Sequence, residues 1–471
     1  MSRPRACLTL LPLVAVLAAA CASVPVARPP FAPLPAVMAD AARDPELAPL
    51  LLTVYPEPLS AQYGRELLPL DGARRVGVGD PEFLALLERR ELLAPWRGLG
   101  PGGYVLEVAR DGDATLVVVA AADEAGERHA ASALRQLTSR TPGGERVRAA
   151  HIVDGPAFAL RGSKRPQPWE LAYGANFAWG ARDDANHAGR ELVATFAPGG
   201  TLDVSEEGLR RALDAFGPWQ QRGVRRFALC FDDVGFGTTQ DTRFSFGGYP
   251  RAFVVYVGVL ADALRSVDPT CTVYVLPQTY WWDDPRLPSF ARALRAAGGL
   301  DRGLSLVFTG PEIVSDRIDA AGLAQARATF GASERPALVY DNLGREGDWG
   351  PLTGRDPALV QVCDGVFGER GTPVHRLTRL DWSWNPEAYD AERSWRRALL
   401  ELAGPRAFEE LRAACAAFRA GAPRDVVAQA VDAFERAADP EWDGPLPRAE
   451  LVRLLRDDLR RLGSEARVAS D

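Results

Sequence analysis

The apolar run Phe227-Ala228-Leu229-Cys230-Phe231 ends abruptly in two adjacent carboxylates, Asp232 and Asp233. Carboxylates held within a few ångströms of each other raise the pKa of one member, so one can keep its proton near neutrality while its neighbour is ionised. That division of labour suits glycoside cleavage, which needs an acid to protonate the leaving oxygen and an anion to stabilise the developing positive charge. The same two residues could instead cap the turn that follows, since Asp is common where strands end. The residue types alone leave both readings open.

The elements that would position this pair alternate between short apolar strands and amphipathic helices, the pattern of repeated βα units and a parallel sheet. Eight strands are predicted at Ala157–Leu160, Ala175–Trp179, Val193–Ala197, Arg226–Phe231, Thr272–Leu276, Leu304–Phe308, Ala337–Tyr340 and Val374–Leu380. Their continuous apolar character fits strands buried on both faces, and several end in polar or aromatic residues, where a barrel carries its active site. The expected fold class is α/β: a TIM-type (β/α)8 barrel with trimmed early helices, preceded by a small α/β domain and followed by a helical C-terminal region. No G-x-G-x-x-G follows the first strand, so a dinucleotide site is not expected, and no cofactor is assigned.

Ahead of the barrel, Tyr104–Val108 and Thr115–Ala120 flank Asp111-Gly112-Asp113 and predict a hairpin; Glu124 to about Leu137 follows as a helix with Ala130, Ala133, Leu134 and Leu137 on one face. Beyond Pro386 the helical spacing recurs at Ser394–Leu402, Ala407–Arg419, Val426–Ala438 and Arg448–Leu462, with Trp395 and Trp442 read as packing anchors. The chain divides accordingly into 1–20 (signal peptide), 21–50 (lipidated cysteine and proline-rich tether), 51–155 (small α/β domain), 156–400 (barrel) and 401–471 (helical region).

Arg3, Arg5, an apolar stretch from Leu8 to Leu17 and Ala18-Ala19-Ala20-Cys21 make up the signal. The apolar stretch is too short to span a bilayer, and the small residues before Cys21 predict lipidation there, hence an exported, envelope-localised protein on a lipid anchor. The remaining cysteines, 230, 271, 363 and 415, show no metal-ligand spacing, and no metal site is assigned. A net charge of -7 among 471 residues excludes nucleic acid as the main partner, because phosphate binding needs clustered cations. Lys164 is the only lysine in the chain, a compositional bias from which no function is read.

From Arg161-Gly162 to about Trp395 the motifs and their order resemble glycoside hydrolase family 84, the β-N-acetylglucosaminidases that include O-GlcNAcases. Phe231-Asp232-Asp233 falls where that family carries its catalytic pair. Residues 172–187 resemble the segment whose lysine binds sugar, with Arg182 in the lysine's place. Pro277-Gln278-Thr279-Tyr280 is similar to the loop whose tyrosine hydrogen-bonds the N-acetyl group, and Phe308-Thr309-Gly310-Pro311 to its Trp-Thr-Gly strand end. Tyr340-Asp341-Asn342 and Gly350-Pro351-Leu352-Thr353-Gly354-Arg355 resemble the segment that supplies an asparagine and then an aspartate, implying Asn342 and, one residue later than the pattern, Asp348.

The resemblance implies catalytic Asp232 and Asp233, substrate contacts from Gly162, Arg182, Tyr280, Tyr340, Asn342 and Asp348, and an N-acetylglucosamine-containing glycan as partner. The implied reaction is retaining and substrate-assisted: the sugar's 2-acetamido oxygen attacks the anomeric carbon to give an oxazoline. Three segments differ from the family. Ser163-Lys164-Arg165-Pro166-Gln167-Pro168 stands where a glycine- and aromatic-rich stretch contacts the sugar, the interval from Arg161 to Asp232 is short, and Gly365-Val366-Phe367-Gly368 replaces an asparagine-proline motif. These differences motivate a second reading, a surface glycan-binding lipoprotein without turnover; a third is an envelope scaffold acting through its C-terminal helices.

Overall fold

The computed structural model describes residues 50–141, 143–164, 166–180, 190–232, 234–301, 303–331, 336–342, 348–369, 371–437 and 444–468. The chain first builds a six-stranded sheet from β1 (Ser60–Pro69), β2 (Arg74–Val76), β3 (Tyr104–Asp111), β4 (Ala114–Ala121), β5 (Thr138–Thr141) and β6 (Gly144–Asp154). Its order is β1-β6-β3-β4-β2, with β5 on β6. Period-two alternation sends Tyr104, Leu106 and Val108 against α3 (Glu124–Gln136), while Val105 faces α1 (Phe83–Arg89) and the neighbouring α2 (Leu93–Arg97). Helix α3 begins where Asp123 accepts from the Gly126 amide at 2.8 Å, an N-cap that fixes the chain's exit from β4.

Eight parallel strands then close into a barrel: β7 (Leu160–Ser163), β8 (Phe177–Trp179), β9 (Glu191–Phe196), β10 (Arg226–Cys230), β11 (Thr272–Leu276), β12 (Ser305–Phe308), β13 (Ala337–Asp341) and β14 (Cys363–Gly368). The lumen is filled by Leu160, Phe177, Trp179, Val193, Ala228, Tyr274, Leu276, Val307, Leu338, Tyr340 and Phe367. Alternate residues such as Phe227, Leu229, Val273, Val275 and Leu306 turn outward. They pack under α4 (Glu206–Gln221), α6 (Tyr249–Val267), α7 (Leu287–Ala296) and α8 (Ala320–Phe330); a short α5 (Gln240–Phe246) precedes α6. Each such side chain removed from water contributes roughly 1.5–3 kcal/mol, so the two-sided burial of these short strands is what holds the ring shut.

Two predicted strands move. The expected Val374–Leu380 strand is a helix, α9 (Pro373–Trp384), and the eighth strand is β14. Val374, Leu377, Leu380 and Trp384 recur at helical spacing, and the Thr372 hydroxyl accepts from the His375 amide ahead of Pro373 at the first helical position. Glycine lowers strand propensity in Cys363–Gly368, yet Gly365 is required there: a Cβ would stand 2.3 Å from the Leu160 carbonyl oxygen on the first strand. The first strand runs over Leu160–Ser163 rather than Ala157–Leu160 because the charged Arg161 is buried within it. Its Nε donates to the Gly174 carbonyl at 3.0 Å, Nη1 donates to the Phe158 carbonyl, and the guanidinium lies 5.0 Å over the Trp384 ring.

Residues 181–189 of the β8–β9 connection lie outside the described residues. Among the described residues the β7–β8 connection holds one 3-10 segment, Pro168–Tyr173, in place of a full helix. The buried Glu170 carboxylate within it accepts from Ser163 Oγ (3.0 Å), Arg376 Nη1 (2.8 Å) and the Gln167 amide (2.9 Å). Helices α10 (Ala391–Ala403), α11 (Phe408–Arg419), α12 (Arg424–Ala437) and α13 (Arg448–Val468) form a separate apolar core with α9 and Trp349. Trp395 is a packing anchor here, its indole N–H donating to the Trp349 carbonyl at 2.7 Å; Trp442 lies outside the described residues.

Candidate active site

Parallel strands present their C-terminal ends on one side of a barrel, and the loops that leave them form a mouth at which side chains from several strands converge. Below this mouth the lumen is plugged by aromatic rings: Phe367 stacks on Trp179 at 4.6 Å and on Tyr340 at 4.8 Å. Ala228 and Cys230 turn into the lumen and Phe231 into the outer core, and Asp232 follows at the rim, half-buried in the turn after β10. Asp233 lies outside the described residues.

One strand over, Tyr280 follows β11, and its ring packs on the lumen cluster, edge-on to Trp281 at 5.1 Å. Its backbone carbonyl accepts from the Thr309 amide at 2.9 Å, which ties the loop after β11 to the end of β12. The Thr309 hydroxyl donates to the Glu312 carbonyl at 2.8 Å, rigidifying the Phe308-Thr309-Gly310-Pro311 turn. Asp232 and Tyr280 thus follow neighbouring strands at the mouth.

Tyr340, on β13, is a lumen plug with a polar tip. Its ring is 3% exposed, and its hydroxyl donates to Glu369, which also pairs with Lys164 at 3.0 Å. Asn342 stands two residues further along the same strand direction, half-buried, its amide donating to the Tyr340 carbonyl at 2.9 Å. Between them, Asp341 makes a fully buried pair with Arg355 at 2.8 Å; Arg355 also donates to the carbonyls of Ser315, Asp316 and Thr353. This pair clamps the loops after β12 and β13 and so sets the wall beside Asn342.

Asp348 and Gly162 are described by their immediate surroundings. Asp348 holds the Gly350 amide at 2.9 Å and lies 3.6 Å from His375 Nε2, and its carbonyl accepts from Thr372, so its partners belong to its own turn and to α9. Burial lowers the pKa of His375. Gly162 is buried in β7, where a Cβ would meet the Phe177 carbonyl oxygen at 2.0 Å; close strand approach demands glycine at this position whatever it contacts. Arg182 and Cys21 lie outside the described residues.

Sequence reasoning passed over three residues at the mouth. Lys164 and Glu369 end the first and eighth strands and meet as an ion pair beside Tyr340. The available signal is that Lys164 is the only lysine in the chain and falls within a motif-bearing segment. Gln278, two residues before Tyr280, is 4% exposed, and neither its Nε2 nor its Oε1 has a hydrogen-bond partner.

A closed parallel barrel with a carboxylate and aromatic groups at its C-terminal mouth is an enzyme-type scaffold whose chemistry is decided by its site. The chain belongs to the beta-N-acetylglucosaminidase family, whose model matches residues 169–416, more than half of its length; it is therefore a glycoside hydrolase of that type, in agreement with the resemblance read from its motifs. The fold is similar to that of CpGH84B, with a TM-score of 0.64 and 15% identity over 87% of this chain and 89% of that one. CpGH84D matches with a TM-score of 0.57 and 13% identity, covering 86% of each chain. A variant of the O-GlcNAc hydrolase of Thermobaculum terrenum matches with a TM-score of 0.52 and 18% identity over 65% of this chain and 82% of that one.

Proposed function

We propose that this protein is a retaining β-N-acetylglucosaminidase working by substrate assistance on N-acetylhexosamine glycosides. The observation that supports the proposal is that Asp232 and Tyr280 follow neighbouring strands, β10 and β11, at the C-terminal end of a closed barrel. In this reading Asp232 accepts from the acetamido N–H, orienting the carbonyl oxygen toward the anomeric carbon and stabilising the charge that develops on the oxazoline. Asp233 donates a proton to the departing oxygen and then draws one from the incoming water. Tyr280 and Asn342 hold the acetamido group and the ring, and the Asp341–Arg355 pair keeps the Asn342 wall in place. Residues 51–155 are a structural companion without a chemical step.

The second reading, a non-catalytic glycan-binding lipoprotein, draws on the segment after β7. There the buried network of Ser163, Glu170, Arg376 and Arg379 occupies polar groups that a sugar-contacting loop would otherwise offer. We also propose that the protein is exported and held on the envelope through lipid on Cys21, with the proline-rich stretch after it as a tether.

The test uses aryl N-acetylglucosaminides with a poor and an activated leaving group. Asp233→Asn is expected to lose ~10²-fold or more on the poor leaving group and much less on the activated one, because only the former needs the proton. Asp232→Asn is expected to lose on both, since the acetamido chemistry is common to every leaving group. Equal losses for both variants on both substrates overturn the roles; no turnover by the unmodified protein with retained N-acetylglucosamine binding favours the second reading.

A further inference from the structure

A primary carboxamide offers two donors and an acceptor oxygen with two lone pairs, and burying it with none of them engaged costs free energy that folding does not return. Gln278 is in that state: 4% exposed, with both amide atoms unpartnered. Isolated instances in native proteins mark places where a water or a ligand supplies the missing bonds.

Its position says which. Tyr274, Leu276 and Tyr280 all pack on the lumen cluster, and Gln278 stands buried in the bend between the last two of them. The parallel register pairs Cys230 with Leu276, and the Phe231 amide donates to the Leu276 carbonyl at 2.8 Å, which extends the ladder one step beyond β10. Two residues further along each neighbouring segment stand Asp232, in the turn after β10, and Gln278, in the bend after β11. The hydroxyl of the adjacent Thr279 is also buried and unpartnered, which makes it the matched control.

We propose that Gln278 is a substrate-binding residue: its buried carboxamide donates to and accepts from one sugar unit, an N-acetylhexosamine, held against Asp232 and Tyr280. The inference rests on the proposed N-acetylglucosaminidase reading and adds to it the residue that reads a donor–acceptor pair on the sugar. A hydroxyl or an acetamido group presents such a pair, and an apolar or purely anionic ligand does not. A site built to hydrogen-bond a substrate discriminates strongly because its polar groups are otherwise left unpaired.

The experiment compares the unmodified protein with Gln278→Met, of similar shape but without donors or acceptors, and with the control Thr279→Val. Calorimetric titration with N-acetylglucosamine and with glucose, KM and kcat on an aryl N-acetylglucosaminide, and Tm are measured for each. Gln278→Met is expected to bind N-acetylglucosamine about 10- to 100-fold more weakly and to raise KM by a similar factor, with a Tm equal to or above that of the unmodified protein. Thr279→Val should leave affinity unchanged. Weakened binding of both sugars assigns the contact to a ring hydroxyl, and weakened binding of N-acetylglucosamine alone assigns it to the acetamido group; either supports the inference. If the unmodified protein binds and turns over while Gln278→Met keeps its affinity and KM, or if Tm falls along with affinity, the inference is overturned and the family reading stands. If the unmodified protein neither binds N-acetylglucosamine nor cleaves its glycoside, the reading and the inference fall together.

Discussion

Asp154 joins the N-terminal sheet to the barrel, and its replacement gives a stability prediction with a definite sign. Its Oδ1 accepts from the Leu59 amide (3.1 Å), the Gly155 amide (2.8 Å) and the Trp384 indole N–H (2.9 Å); Oδ2 accepts from the Tyr104 hydroxyl at 2.9 Å. Full burial pushes its pKa up to about 6, against the pull of those four donors. Only Oδ2 has room for a proton, because the tyrosine hydroxyl can turn to accept whereas the three N–H groups cannot. The unfolded side chain titrates near 3.9, so the native state holds the proton more tightly between that value and about 6. This contribution to stability is complete below pH ~4 and is lost as pH rises through ~6, a fall of about 3 kcal/mol from a shift of about two units. Asn mimics the protonated acid at every pH, so Asp154→Asn should match the unmodified protein near pH 4 and exceed it by a few kcal/mol near pH 7. Asp381, also pushed up to about 6 by burial, keeps its own slope in both proteins, as does His129, lowered to about 4 with the opposite sign; the difference between the two proteins isolates Asp154. Asp154→Ala strands four donors and should cost ~3–5 kcal/mol near pH 4, a difference that narrows by about 3 kcal/mol as pH rises through ~6. Urea unfolding at intervals from pH 4 to 7.5 is the assay, and parallel stability curves for the unmodified protein and Asp154→Asn would refute the reasoning.

Two further outcomes are expected. Asp341→Ala leaves the Arg355 guanidinium buried without its counter-charge and should destabilise by ~3–5 kcal/mol, whereas the double change Asp341→Leu with Arg355→Met should lose less; a single-variant loss below ~1 kcal/mol in chemical denaturation would contradict the clamp. Cys21→Ser should move the protein from the membrane to the soluble fraction after cell lysis, and unchanged partitioning would rule out the lipid anchor.

Much of the barrel was legible because its strands are short apolar runs with one burial requirement on each side. Thr272–Leu276 was read to the residue, and Arg226–Phe231 overran its strand by one. The first and last strands were misplaced where other forces overrode that pattern. In β7 an arginine pays its desolvation through carbonyl contacts and the face of Trp384 that are distant in sequence. In β14 glycine is imposed by the Leu160 carbonyl on a strand some two hundred residues away, a constraint no local window carries. Asp232, Tyr280 and Asn342 could be picked out by motif order, and the barrel gives them a common rim. Lys164 and Glu369 could not be paired in advance, because only ring closure brings the first and eighth strands side by side. Gln278 carries no signal of its own within its motif, since an amide becomes conspicuous only through its lack of partners in the fold.

The most direct test of the central claim uses two β-aryl glycosides with the same leaving group, one carrying a 2-acetamido group and the other a 2-hydroxyl, with hydrolysis by the purified protein lacking residues 1–21 followed by release of the chromophore. If the sugar's own acetamido oxygen is the nucleophile, the first is cleaved and the second is not, and Asp232→Asn abolishes most of the rate on the first. Comparable cleavage of both glycosides, or no cleavage of the acetamido substrate, would contradict the account.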